Sequence, residues 1–153
     1  MKRLVDLFLA TILLLIFLIP MMVISIILRF SSGTPVIYWS DRVGKDNKIF
    51  QMPKFRSMIV QTPEVATHLL KDADSFISPV GVFLRKTSLD ELPQIFSVLK
   101  GDMSFVGPRP ALFNQKDLIE MRTERGIDRL LPGITGWAQV NGRDDLPIPQ
   151  KVE

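Results

Sequence analysis

Residues 4–28 read LVDLFLATILLLIFLIPMMVISIIL, with Asp6, Thr11 and Ser25 as the only polar side chains. As a straight helix the run is about 37 Å long, enough to cross a hydrocarbon layer of about 30 Å. Three readings compete: a cleaved signal, a spanning helix, and a segment that enters and leaves on the same side. Ser31 and Gly33 offer small residues for a cleavage site, but the apolar core of a signal is normally only about 7–15 residues. Pro20 lies inside the run. Its missing N–H and its ring, pressed against the Ile16 carbonyl, predict a kink and two unequal helices; the longer, residues 4–19, reaches only about 24 Å. Lys2 and Arg3 precede the run, and Arg29, Arg42, Lys45 and Lys48 follow it. A spanning helix gathers Lys and Arg on one side, so basic flanks at both ends favour a re-entrant hairpin with both ends cytoplasmic. A Pro-kinked spanning anchor remains the alternative.

The rest of the chain is ordinary by comparison. Of the first 30 residues 23 are apolar, and Lys2, Arg3 and Arg29 against Asp6 place +2 of the net +3 there, so the body of the 153-residue chain is nearly neutral. That balance, with no basic stripe, argues against nucleic acid as a partner. The chain has no cysteine and a single histidine, His68, which excludes disulfides, thiolate metal sites, a cysteine nucleophile and a multi-histidine centre. The division expected is a membrane segment, residues 1–30, and a water-facing domain, residues 31–153.

Within that domain, Ser31 to Pro35 reads as a turn-rich exit from the membrane, followed by β-prone Val36 to Trp39, with Tyr38 and Trp39 suited to the headgroup zone. Gly44 to Asn47 predicts a turn and Lys48 to Met52 a second strand, so residues 36–52 form a hairpin that Pro53 ends. Helical patterns follow at Glu64 to Leu70, with Asp72 and Asp74 beyond, then at Val80 to Arg85 and Pro93 to Lys100, the last stopped by Gly101. Leu112 to Arg125 is amphipathic, with Leu112, Leu118, Ile119 and Met121 as its apolar stripe. Pro132-Gly133-Ile134-Thr135-Gly136 reads as a tight turn in a loop-dominated end, Met21-Met22 as a lipid-facing pair, and His68 as a surface or helix residue.

Two patterns could carry chemistry. Asp90-Glu91 stands just before Pro93, a residue favoured at a helix start, where the dipole suits carboxylates and a nearby phosphate. Neighbouring side chains about 100° apart let one carboxylate face a reacting centre while the other holds a metal. Taken alone, the pair reads first as part of a Ser88–Glu91 capping box. The second pattern is Pro108-Arg109-Pro110, where two fixed φ angles frame a guanidinium suited to bidentate phosphate binding. An extended turn with a solvated arginine is the plain alternative. Lys54, Arg56 and Arg85 are further cations able to converge on a pyrophosphate.

Six strings in order add a resemblance that covers essentially the whole chain. They are Lys2-Arg3 leading an apolar segment with a central proline; Arg42-Val43-Gly44; Lys54-Phe55-Arg56-Ser57-Met58; residues 84–94, LRKTSLDELPQ; residues 99–110, LKGDMSFVGPRP; and Pro132-Gly133-Ile134-Thr135-Gly136 with Gln139-Val140-Asn141-Gly142-Arg143. The chain resembles the bacterial sugar transferases, small monotopic phosphoglycosyl transferases that start glycan assembly on polyprenyl phosphate. The resemblance implies an α+β fold with an N-terminal re-entrant membrane helix-break-helix, a small β-hairpin and surrounding amphipathic helices. It also implies that Asp90 attacks the β-phosphate of a UDP-sugar, releasing UMP and leaving a phosphosugar on the enzyme for undecaprenyl phosphate to take. Glu91 matches the Mg²⁺ ligand, with Asp90 beside it; Arg109 matches the phosphate-binding residue, and Lys54 and Arg85 the supporting cations. Membrane lipid and downstream glycosyltransferases are the implied partners, and the bacterial inner membrane, with the catalytic domain on its cytoplasmic face, the implied location. Two departures stand out. Ile19 replaces the serine usual before the membrane proline, and family chains continue past the Asn-Gly-Arg region where this one stops at Glu153, so a C-terminally truncated product is expected. Two other classes fit the same residues: a non-catalytic membrane-surface scaffold, and a membrane-bound Mg²⁺-dependent phosphohydrolase that gives the phosphate to water.

Overall fold

The structure, a computed structural model, describes residues 1–59, 76–142 and 146–152. The helical pattern expected over 64–70, Asp72, Asp74, His68 and Arg143 lie outside the described residues. The fold is α+β. Its long apolar helix α1 spans Lys2–Ser31, and among the described residues it is the one helix long and apolar enough to cross a membrane. A β-hairpin pairs β1 (Ile37–Val43) with β2 (Ile49–Phe55), and a short strand β4 (Ala111–Leu112) adds to the far side of β1. Helices α2 (Pro79–Lys86), α3 (Gln94–Lys100), α4 (Lys116–Glu124) and α5 (Trp137–Val140) surround this sheet. A separate parallel pair joins β3 (Ser104–Val106) to β5 (Gly133–Thr135).

Helix α1 runs through Pro20 without interruption, so the two helices expected from that proline are not found as separate elements. One seam of contact with the body accounts for this. Asp6, Ala10, Met21, Ile24 and Leu28 are buried, and Leu13, Leu14 and Phe17 pack beside them, at steps of three or four residues along the whole helix. The N-terminal half packs with Met52, Ile95, Val98 and Met103, the C-terminal half with Phe55 and Leu84. Met21 is therefore a core residue, and only Met22 of the expected lipid-facing pair is exposed. The outer face carries Leu4, Phe8, Leu15, Ile16, Ile19 and Phe30, all at least 60% exposed, a continuous apolar surface suited to lipid.

Polar ties fasten the N-terminal end of α1 to the body. Arg3 donates to the Val98 and Leu99 carbonyls at 2.6 and 2.9 Å, capping the C-terminus of α3, where a cation also meets the negative end of the helix. Buried Asp6 accepts from the Ser104 hydroxyl at 2.9 Å and the Phe105 N–H at 3.2 Å. Asp6→Ala would leave both donors without that acceptor, at about 1–3 kcal/mol per orphaned buried group. A fall of at least about 2 kcal/mol in stability, read by unfolding in detergent, is the expected result.

The hairpin is longer than the sequence pattern suggests. Pro53 lies inside β2 opposite Trp39 rather than ending it. Hydrogen bonds from Gly44 N–H to the Lys48 carbonyl and from Arg56 N–H to the Val36 carbonyl set the ladder's alternation. They put Pro53 at a non-hydrogen-bonded pair on an edge strand, where no N–H is required. Leu112 likewise belongs to β4 rather than to the amphipathic helix, whose Leu118 is buried with Ala111 and Val152. The Gly44 to Asn47 turn and the left-handed Gly101 after α3 form as expected.

Gly133 to Thr135, read as a tight turn, is instead a strand, and its glycines serve close approach. A Cβ on Gly133 would lie 2.1 Å from the Gly107 nitrogen, and one on Gly136 would lie 2.1 Å from the Gly107 carbonyl oxygen. The two strings GPRP and PGITG are thus a single packed unit.

Candidate active site

Four elements deliver the candidate side chains. The chain leaves α2 through Ser88, whose left-handed φ of 57° turns it into the short 3-10 turn Leu89–Glu91 that leads to α3. This rules out the capping box. The Ser88 side chain makes no cap bond, its N–H donates to the Arg85 carbonyl, and the Glu91 carboxylate turns to the sheet. Lys54 of β2 donates to Glu91 Oε1 at 2.7 Å, and Arg109 Nη2, from the loop between β3 and β4, lies 3.9 Å from the same oxygen. Arg85 of α2 contributes positive potential at Asp90 and contacts Met58 Sδ at 3.8 Å. All five predicted site residues, Asp90, Glu91, Lys54, Arg85 and Arg109, therefore share one neighbourhood. Arg56 stands apart from this contact network, with its guanidinium 6.0 Å from the Tyr38 ring centre.

Burial dominates the electrostatics. Asp90 is only 8% exposed, and desolvation raises its pKa above the usual aspartate value, opposed by Lys54 and Arg85 and assisted by Glu91. Lys54 is shifted downward because burial outweighs the attraction of Glu91. A carboxylate with a raised pKa beside an ammonium with a lowered one marks the cluster as a candidate site, a pattern that buried structural pairs share. Among the described residues the cluster sets three cations against two carboxylates, a positive balance that suits a diphosphate.

The donor set also bears on a metal. Among the described residues no group of three His, Cys, Asp or Glu could cage an ion. Asp90 and Glu91 supply carboxylates, the donor type that Mg²⁺ takes alongside substrate phosphates and water.

A separate apolar groove of about 800 Å³ lies between α1, the hairpin and α3, and none of the five cluster side chains lines it. Met22 and Ile26 of α1, Trp39 and Pro53 of the hairpin and Phe96 of α3 line it, and Pro93, three residues after Asp90, is part of its wall.

Three contributors to the site escaped the sequence reading. Arg122 of α4 donates to the Arg109 carbonyl at 2.8 Å, and Arg42 donates to the Pro110 carbonyl at 3.2 Å. Asp6 holds the start of β3, the strand that leads to Arg109. The available signal was a charge on an apolar face: Arg122 follows Leu118 by one helical turn, and Asp6 sits within the membrane run.

A family model described as bacterial sugar transferase matches residues 1–153. The UDP-glucose:undecaprenyl-phosphate glucose-1-phosphate transferase of Escherichia coli (strain K12) is 41% identical over 157 residues, covering 100% of this chain and 34% of the relative. A UDP-N-acetylgalactosamine-undecaprenyl-phosphate N-acetylgalactosaminephosphotransferase of Aeromonas hydrophila is 38% identical over 141 residues, covering 91% of this chain and 33% of the relative. The uncharacterized sugar transferase EpsL of Bacillus subtilis (strain 168) is 39% identical over 155 residues, covering 100% of this chain and 74% of the relative. The chain thus spans about a third of the length of the first two.

Proposed function

The chain belongs to the bacterial sugar transferase family, and from that premise we propose that it moves a phosphosugar from a UDP-sugar to undecaprenyl phosphate through a covalent aspartyl intermediate. The supporting observation is the convergence of Lys54 and Arg109 on one oxygen of Glu91, with the buried Asp90 next to it. Lys54, Arg85 and Arg109 bind the diphosphate and draw charge toward the leaving group. A carboxylate oxygen of Asp90 forms a bond to the β-phosphorus as the bond from that phosphorus to the oxygen bridging it to the α-phosphate breaks, and UMP leaves with that oxygen. A phosphate oxygen of the lipid acceptor then attacks the same phosphorus and returns Asp90 as a free carboxylate. Glu91, with Asp90, would hold Mg²⁺, which when bound neutralises diphosphate charge. The lipid-linked product passes to downstream glycosyltransferases.

The seam supports our reading of the placement. With the body in contact along the whole of α1, the helix lies in one leaflet of the bacterial inner membrane, and both ends stay on the cytoplasmic face with the catalytic domain, residues 31–153. A spanning helix would have to abandon either the Asp6 or the Leu28 contacts. Single cysteines introduced as Lys2→Cys and Lys48→Cys are expected to label from the same side of sealed vesicles; labelling from opposite sides would refute this placement.

The reaction itself is tested by UMP release over a panel of UDP-sugars in detergent or nanodiscs with Mg²⁺. UMP in the absence of acceptor, ping-pong kinetics and a phosphosugar-bearing Asp90 peptide are expected. Sequential kinetics without an adduct would overturn the covalent route, and free sugar phosphate formed without acceptor would indicate a phosphohydrolase.

A further inference from the structure

We infer that Arg122 is a positioning residue that aims the Arg109 guanidinium at the substrate phosphate, acting through the Arg109 backbone; the inference rests on the reading of Arg109 as a phosphate ligand. The direction of a side chain follows from the two peptide planes that flank its Cα. At Arg109 both planes are held from outside. The Pro108 carbonyl accepts from the Gly133 N–H of β5 at 2.9 Å, and the Arg109 carbonyl accepts from Arg122 Nη1 of α4 at 2.8 Å. One residue on, the Pro110 carbonyl accepts from Arg42 of β1 at 3.2 Å. Three successive carbonyls are thus fixed by donors from three elements. Pro108 and Pro110 have no N–H of their own, so donation to these carbonyls is a main route by which the loop is held.

A merely structural role fits Arg122 poorly. The residue is 8% exposed, and among the described residues its guanidinium makes one hydrogen bond, to the Arg109 carbonyl, while its Nε is buried without a partner. Burial lowers its pKa to about 10. A buried cation with no carboxylate within ion-pair distance among the described residues is a poor source of stability, and an apolar side chain of similar length would serve packing as well or better. What the guanidinium adds is a donor to the Arg109 carbonyl, one of the two carbonyls that orient Arg109. A small misplacement of a phosphate-binding group is costly, so loss of that donor should appear in ligand binding before it appears in folding.

The test is a double-mutant cycle read as UDP affinity by calorimetry, with the purified full chain in detergent and Mg²⁺ present. Arg122→Met is expected to weaken UDP binding about tenfold while melting at or above the wild-type temperature. In the Arg109→Ala background the same change is expected to cost less than about threefold, because the group through which it acts is gone. Arg122→Lys, which keeps one donor, should bind UDP within about threefold of wild type, and Arg122→Leu, which keeps none, replaces the Met variant in the cycle if that variant folds poorly. Unchanged UDP binding in Arg122→Met, additive losses in the double variant, or no loss of UDP binding in Arg109→Ala would each overturn the inference. The cycle stands apart from turnover. A coupled cycle in a chain that releases no UMP would uphold Arg122 and defeat the transferase reading, while UMP release with an additive cycle would do the reverse.

Discussion

Asp90→Asn is expected to lower UMP release by at least about a thousandfold while leaving the protein as stable as wild type or more so. The two outcomes share one cause. The amide has nearly the shape of the carboxyl group but no charge with which to attack phosphorus. Burial makes ionisation of Asp90 unfavourable in the fold, as its upward shift records. A group whose folded pKa is raised contributes stability that is present below its unfolded pKa and lost as pH rises through the folded value. At neutral pH the wild type therefore carries a desolvated carboxylate that the variant lacks. Loss of activity with loss of stability would point to a structural carboxylate. Activity within tenfold of wild type would move the nucleophile elsewhere, to Glu91 or to water, and would end the covalent mechanism at Asp90. Intact-mass measurement during turnover gives an independent view: a phosphosugar adduct on the wild type and none on the variant.

The parts of this molecule legible in its sequence are those set by local rules. The turn at Gly44 to Asn47, the glycine that ends α3 and the apolar run of α1 depend on residues close in the chain, and each forms where its pattern stands. The misreadings share a different origin. Ser88 and Glu91 have the spacing of a capping box, but Glu91 finds two stronger partners, Lys54 and Arg109, brought by other elements. Pro53 looks like a strand breaker until the sheet order puts it at a free edge. Asp6 looks like a blemish in a membrane helix until β3, about a hundred residues away, supplies its donors. Gly133 looks like a turn residue because the glycine it packs against belongs to a different motif. In each case a local preference of about 1 kcal/mol met a long-range contact of at least that size, and the long-range contact prevailed.

That last pairing carries the second large effect. Gly133→Ala is expected to destabilise the protein by about 4 kcal/mol or more, or to prevent its accumulation, and to abolish UDP binding with it. The added Cβ would stand 2.1 Å from the Gly107 nitrogen and 2.7 Å from the Gly107 Cα. Both are backbone atoms, so no rotamer change relieves the clash, and β3 and β5 must separate. Separation breaks the bonds from Gly107 N–H to the Thr135 carbonyl and from Gly133 N–H to the Pro108 carbonyl, each 2.9 Å. The second of these holds one of the two peptide planes that aim Arg109. Gly126→Ala is the contrasting variant. Gly126 has a φ of +70° but no atom within 4 Å of its would-be Cβ, so its cost is conformational only, about 1 kcal/mol, and UDP binding should survive. If the two variants melted within a few degrees of each other, crowding at Gly133 would not be what sets the spacing of these strands. The Pro108 carbonyl would then lose its place as an anchor for the arginine, and phosphate binding by Arg109 would have to be explained without a preset loop.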